Sequence, residues 1–420
     1  MRSLVLVLSI VTLCASEKVS NTSGIASHPN YGLVYFGTCG EDIDITQEFR
    51  RSFYEFTVDL YQRIAVPTAG HFVFSPLSIW MSLAALAEGS DGLARQELFK
   101  LLRLPEERCI RQQFYALISR RELLGDDVIL SRTRLFIYDE KLVINKNWDN
   151  YVCSHWLVGI IKGTLRKNPK KALQSMRDIF SAKLPNLDLN GNSVILDALD
   201  YDGLWTTAFL DSKPEIAPFY NDLGEKIGTV EMMRLKKRVR MSYNAELKMK
   251  ILDLPVGQNG RYRFMFGVST KDGTAGRSIK LGSSKYIFDI IQNRRLSKIP
   301  IDVAIPKFTL SSEIDIRSIL EELKVKSVWT DPWGTKNISE PAALPSGFVQ
   351  RVTIELDRPG LKPCPHEVIA PTKGTDKETG LEPELGKEFI ANKPFLFAFF
   401  DTETFTVLFA GVYSKPGGKI

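Results

Sequence analysis

Strand-forming segments crowd into one half of this 420-residue chain, and that segregation restricts its architecture more than any other feature. From Val194 onward, Val194-Ile195-Leu196, Lys250 to Leu254, Tyr262 to Val268, Ile301 to Phe308, Val349 to Leu356 and Phe395 to Tyr413 read as strands, rich in β-branched and aromatic residues. Ahead of them the periodicity is helical. Phe49, Phe53, Phe56, Leu60 and Ile64 recur at steps of four, three, four and four, lining one face of an amphipathic helix. Phe72-Val73-Phe74 is a short strand-like run leading into Ser75-Pro76, an N-cap followed by a proline at the first helical position. The helix so begun can bury Leu77, Trp80, Met81 and Ala84; Gly89 ends it, and a second helix runs to about Leu102. Helices followed by strands, without internal repeat or a linker that would split the core, predict an α+β architecture.

Residues 357–391 break the pattern. Pro359, Pro363, Pro365, Pro371 and Pro383 stand among Lys, Glu, Gly and Thr, directly before the most apolar strand of the chain. Turn chemistry and low hydrophobicity predict a long exposed loop. Such loops are uncommon inside compact domains and tend to be functional.

The chain's beginning reads as an export signal. Arg2 precedes an uncharged run from Leu4 to Leu13, and Cys14-Ala15-Ser16 supplies the small residues of a cleavage site. The run is about half of the roughly 20 residues needed to cross a bilayer. We therefore expect residues 1–16 to be a signal peptide, 17–45 a flexible extension and 46–420 the globular domain, secreted to the extracellular space with no membrane anchor. Asn21-Thr22-Ser23 and Asn337-Ile338-Ser339 fit the glycosylation pattern, making Asn21 and Asn337 candidate acceptors. Removing the signal leaves Cys39, Cys109, Cys153 and Cys364, which allow three pairings. Cys109 with Cys153 is the candidate disulfide. No C-x-x-C pair and only four His argue against a zinc site, and we expect no metal or cofactor. A net charge of +6, from 55 Lys+Arg against 49 Asp+Glu, is mild for this length and calls for no nucleic-acid partner.

The residues after the loop carry a family resemblance. Phe389-Ile390-Ala391-Asn392-Lys393-Pro394-Phe395-Leu396-Phe397-Ala398-Phe399 resembles the serpin signature in its apolar, Asn, basic, Pro, Phe order. Further segments match in the right chain order: Phe74-Ser75-Pro76-Leu77-Ser78-Ile79, Asp202-Gly203-Leu204-Trp205 with Phe209, Phe219-Tyr220 with Val230-Glu231-Met232-Met233, and Ile305-Pro306-Lys307-Phe308. The resemblance spans about residues 46–416. It implies a serpin fold: one large domain of three β-sheets and eight or nine helices with an exposed reactive loop near the C-terminus. It also implies a mechanism in which a serine protease cleaves the loop, is acylated, and is dragged across the molecule as the loop enters the largest sheet.

Loop insertion makes strict demands. A central strand needs backbone N–H groups on both sides and small side chains, which inhibitory serpins meet with a Gly and then an Ala-rich run. Here the hinge reads Gly360-Leu361-Lys362-Pro363-Cys364-Pro365-His366. Pro363 and Pro365 lack an N–H and are excluded from central strands. A one-residue change of register only exchanges those prolines for Lys362 and His366 as the buried set. Two further positions depart from the family: Asp197 stands where Asn is usual and Gln350 where His is common. With Ser75 and Ser78 these form the sheet-opening positions, and we expect the two changes to disturb that polar cluster. Lys373, Lys377 and Lys387 are candidate cleavage sites.

The reading that follows is a secreted, monomeric serpin without enzyme activity that acts by binding, carriage or signalling. The alternative is an extracellular serine endopeptidase inhibitor that traps its target covalently. Arg234, Lys236, Lys237, Arg238 and Arg240, and a second cluster at Arg166, Lys167, Lys170 and Lys171, could contact a glycosaminoglycan, though solvated turns are the better explanation of both. His71 and His155 sit among apolar residues and read as packed; Trp80, Trp148, Trp156 and Trp205 read as core or edge aromatics.

Overall fold

The computed structural model describes residues 44–119, 128–180, 187, 189–209, 215–271, 287–288, 290–291, 293–362 and 386–417. The signal peptide, Asn21, Cys39 and most of the extension lie outside them. So do Pro363, Cys364, Pro365, Lys373 and Lys377.

Helix α1 (Ile45–Ala65) is capped by Asp44, whose carboxylate accepts from Gln47 N, and buries Phe49, Phe53, Phe56, Leu60 and Ile64 as the periodicity predicts. Helix α2 (Pro76–Gly89) starts at the Ser75 cap and is buried on all sides apart from Glu88, so it is a core helix with no solvent stripe. Glu88 is kept inside by Arg111, whose Nε donates at 2.6 Å, and by the Tyr115 hydroxyl at 2.8 Å. Helices α3 (Gly92–Leu102), α4 (Arg108–Ser119) and α5 (Lys146–Ser154) follow, then α6 (Pro169–Phe180), α7 (Ile316–Glu322) and the single turn α8 (Ser327–Thr330).

The strands form three main sheets. The first has the order β14 (Phe308–Asp315), β16 (Pro345–Leu356), β5 (Ser193–Gly203), β2 (Val128–Asp139), β4 (Gly159–Gly163). The second runs β18 (Glu388–Ile390), β13 (Ile301–Pro306), β8 (Lys226–Lys237), β7 (Glu215–Tyr220). The third is the largest, with the order β1 (Phe72–Phe74), β20 (Thr406–Tyr413), β19 (Phe395–Asp401), β11 (Tyr262–Ser269), β10 (Met249–Val256), β6 (Trp205–Thr207), β17 (Gly360–Lys362). Strands β9 (Arg240–Asn244) and β12 (Arg295–Leu296) extend it off β10, and β3 (Val143–Ile144) pairs with β15 (Ser339–Glu340) in a separate ribbon. Three main sheets and eight helices among the described residues match the architecture that the resemblance implies.

Two sequence assignments change. Ile301 to Phe308 is the end of one strand and the start of another, because the chain leaves the second sheet after Pro306 and enters the first at Phe308. Phe395 to Tyr413 is likewise an antiparallel pair, β19 and β20, joined by a turn. The main core lies between α1, α2 and the sheets, where Phe49 stacks on Phe53 and meets Trp80 edge-on. A smaller core packs α6, through Ala172, Met176 and Phe180, over Leu135, Leu196, Ala198 and Val349 of the five-stranded sheet.

Candidate functional site: the sheet seam and the loop hinge

The hinge follows β16, so an inserting loop would enter the five-stranded sheet, not the nine-stranded one that is the largest here, and must separate a pair of strands that already touch. β5 and β16 are parallel and directly paired, from Phe348 opposite Ile195 to Ile354 opposite Tyr201, so no gap awaits a strand between them. Side chains alternate faces along each strand, and this seam is tied on both.

On the inner face the ties converge on the start of α2. Gln350 Nε2 donates to Asp197 Oδ2 at 2.6 Å, which links the two strands directly. Ser78 Oγ donates to the other Asp197 oxygen at 2.6 Å. Gln350 also bonds both backbone groups of Ser75, accepting from its N at 2.9 Å and donating to its O at 3.0 Å. Ser75 Oγ, besides capping the helix, donates to Leu408 O at 2.6 Å. Asp197 and Gln350 are 1% and 0% exposed. The expected disturbance is therefore corrected: the two departures complement each other, because a Gln amide can donate to an Asp carboxylate while its oxygen accepts from the backbone. Burial pushes the Asp197 carboxyl up to about 6, with the Ser78 and Gln350 bonds drawing it partly back.

On the outer face Arg351 of β16 makes a bidentate pair with Asp200 of β5, at 2.8 and 2.7 Å. Its Nη1 also donates to Thr353 Oγ1. Helix α6 covers this side, touching both strands through Ala198 and Val349.

Above the seam the chain keeps the same course. β6 follows β5, β17 follows β16, and the parallel alignment resumes with Gly360 opposite Trp205 and Lys362 opposite Thr207. Between them Trp205 Nε1 donates to Asp357 O at 2.7 Å, Phe209 N to Arg358 O and Trp205 N to Pro359 O. Two ion pairs hold the corner: Lys307 with Asp357 at 2.8 Å and Arg358 with Glu231 at 2.7 Å. Burial alone would raise the Asp357 carboxyl, but Lys307 and the Arg358 N–H hold it below its ordinary value. Gly360 is required here, since a Cβ would collide with the Ala208 backbone. The hinge that the sequence assigns to a loop is thus an edge strand as far as Lys362, and the region closes in a second strand, β18, paired in parallel with β13.

The remaining candidates separate from this site. Lys387 is exposed at the entry to β18, its carbonyl accepting from Asp302 N. Asn337 is exposed at the opposite end of β16. The Cys109–Cys153 pairing is overturned: Cys153 keeps a thiol that donates to Asp149 one turn back, at 3.8 Å, whereas Cys109 is disulfide-bonded, so the two are not joined to each other. The basic cluster is partly spent on structure, with Arg234 paired to Glu215 and Asp302, Lys237 bonded to Thr207, and Arg238 to Ser297 O. His71 and His155 are buried, as are Trp80, Trp148 and Trp205, while Trp156 is half exposed. Sequence reasoning missed Asp200, Arg351, Asp357 and Arg358. Charged residues at a strand's middle and end carry no signal until pairing sets them opposite one another.

Comparisons with known proteins bear on the family and the fold. The family description "Serpin (serine protease inhibitor)" matches residues 51–416. The leukocyte elastase inhibitor of Sus scrofa is 25% identical, over 86% of this chain and 97% of that protein. Pigment epithelium-derived factor of Homo sapiens is 24% identical, over 86% of this chain and 85% of its own length. Among solved structures, uncleaved ovalbumin superposes with a TM-score of 0.74 at 19% identity, covering 87% of this chain and 98% of that one. Thyroxine-binding globulin in complex with thyroxine gives 0.74 at 17% identity, over 88% and 99%. The match over most of its length, in sequence and in fold, makes this chain a member of the serpin family.

Proposed function

We propose that this serpin is secreted and does not trap proteases, acting instead by binding, carriage or signalling outside the cell. The observation that carries the reading is the hinge. To insert between β5 and β16 the loop must reverse direction after Leu356 and run antiparallel to both strands. The chain instead continues straight into β17, held by the backbone bonds of Trp205 and Phe209 and by the Lys307–Asp357 and Arg358–Glu231 pairs. The three residues that follow Lys362 are Pro363, Cys364 and Pro365, and the two prolines cannot complete a central ladder. Insertion must outrun hydrolysis of an acyl-enzyme, and each of these features slows it.

Export rests on the Leu4–Leu13 run and the small residues after it. Among the described residues no helix is long and apolar enough to cross a membrane, and no group of three or more His, Cys, Asp or Glu is placed to hold a metal. An apolar cavity of about 80 Å³ beside α1, lined by Tyr61, Met265 and Phe397, falls well short of the roughly 300 Å³ that a drug-sized ligand fills. A macromolecular partner therefore fits a binding role better than a small cargo in this cavity.

The second reading, a working inhibitor, draws on the relative named an elastase inhibitor. Incubation with trypsin-, chymotrypsin- and elastase-like proteases, followed by a denaturing gel, separates the two. Cleaved serpin with active protease is the expected result; a stable covalent complex with any of them overturns the proposal.

A further inference from the structure

Trp333 is the most exposed tryptophan among the described residues, at 76%, yet it does not sit on a loose segment. It belongs to a 3-10 turn, Pro332–Thr335, capped by Asp331, whose carboxylate accepts from Trp333 N at 2.9 Å. The turn is seated on α3: Gly334 O accepts from Asp91 N at 2.8 Å, and a Cβ on Gly334 would lie 2.7 Å from Ala94 Cβ. Lys336, fixed by its 2.8 Å ion pair with Asp91, lies over one face of the indole at 5.8 Å. With Lys336 against one face and 76% of the residue exposed, the indole offers a rigid aromatic surface that a neighbouring group can cover.

The helical turn continues through Lys336, which has αR backbone angles, and Ile338 N donates to Thr335 O. Asn337, exposed and one turn beyond Trp333, is the first residue of the Asn-Ile-Ser acceptor triplet. We propose that Asn337 carries an N-linked glycan whose first sugar packs on the open face of Trp333. This rests on the export reading above. The occupant is a pyranose, whose C–H face complements an indole as an aromatic platform does an apolar one. In the transfer, Asn337 Nδ2 bonds to the anomeric carbon of a lipid-diphosphate-linked oligosaccharide. The C1–O bond breaks, the diphosphate leaves with the electron pair, and one amide proton is lost.

The structure also dates the modification. Ser339, whose hydroxyl an acceptor triplet must present, is 2% exposed as a residue, donates through that hydroxyl to Pro341 O at 2.9 Å, and lies in the strand paired with β3. Glycosylation therefore precedes closure of the β3–β15 ribbon. The sugar sits at the end of β16 away from the hinge, a 12-residue strand or roughly 40 Å distant, so it leaves the loop open.

The test is expression of the full chain in a secretory eukaryotic host, with Asn337→Gln alongside. Glycosidase treatment should remove a mass step from the wild type that Asn337→Gln lacks. Hydroxyl-radical footprinting should oxidise Trp333 several-fold faster in Asn337→Gln than in the glycosylated protein, with the half-exposed Trp156 as unchanged internal control. Protein in the medium with residues 1–16 removed but Asn337 unmodified overturns the inference and spares the export reading. Protein retained in the cell with Met1 intact overturns both. A glycan at Asn337 that leaves the Trp333 oxidation rate unaltered refutes the stacking.

Discussion

Replacing Asp197 by Asn should stabilise this protein at neutral pH, although it removes a carboxylate that accepts two hydrogen bonds. The reason is desolvation. Burial moves the carboxyl from 3.8 to about 6, and at roughly 1.4 kcal/mol per unit this makes its ionisation about 3 kcal/mol costlier in the native state than in the unfolded chain. The sign follows from proton counts. Between pH 3.8 and about 6 the native state holds a proton that the unfolded chain has released, so stability falls as pH rises through that window and is flat above it. At pH 7.5 the group is ionised, and the whole penalty is present. An Asn keeps the seam bonded: its carbonyl accepts from Gln350 Nε2 and its amide donates to Ser78 Oγ, whose own proton can turn to the backbone one turn back. The assay is urea unfolding of wild type and Asp197→Asn across pH 4 to 8, read at the first transition. The variant should match wild type near pH 4 and exceed it by about 3 kcal/mol at pH 7.5. A difference that does not change with pH, or a variant less stable at pH 7.5, refutes the reasoning.

Three further outcomes follow from the same site. Arg351→Ala removes the outer tie of the seam; because Asp200 is half exposed the stability loss should be about 1 kcal/mol, with a synthetic peptide of central-strand sequence annealing into the sheet faster than into wild type. Unchanged annealing would show that the inner ties alone keep the seam shut. Gly360→Ala drives a methyl into the Ala208 backbone and should detach β17 from β6, seen as faster limited proteolysis between residues 357 and 362; an unaltered digestion pattern would mean that the edge strand does not depend on that close approach. Trypsin cleavage at Lys373, Lys377 or Lys387 should leave the melting temperature close to that of the intact protein, and a large rise would reveal loop insertion. Exchanging 361–366 for Thr and Ala should bring such a rise only when the Asp357 and Arg358 ion pairs are removed as well.

How far the sequence alone reaches depends on the range of the forces involved. Local periodicity and capping settled α1 and α2 down to the Ser75 cap, because those signals act within a few residues. The strand-rich half was legible too, from β-branched and aromatic content, and the ordered motifs from Phe74 to Phe399 were specific enough to imply the family. β2 escaped notice because Arg132 and Arg134 interrupt it; Arg134 is accommodated by donating to the carbonyls of Trp156 and Leu157, a partner supplied only by tertiary contact. The prolines after Lys362 already argued against insertion, since a missing N–H is a property of the residue itself.

The seam and the hinge were decided by the tertiary structure. Asp197 and Gln350 look disruptive when read singly, for each departs from its usual residue, and they compensate only because α2 brings Ser75 and Ser78 under the point where β5 meets β16. Asp200 finds Arg351, and Asp357 finds Lys307, across 151 and 50 residues of chain. An ion pair's energy depends on distance and on exclusion of water, and neither quantity exists until the sheet has formed.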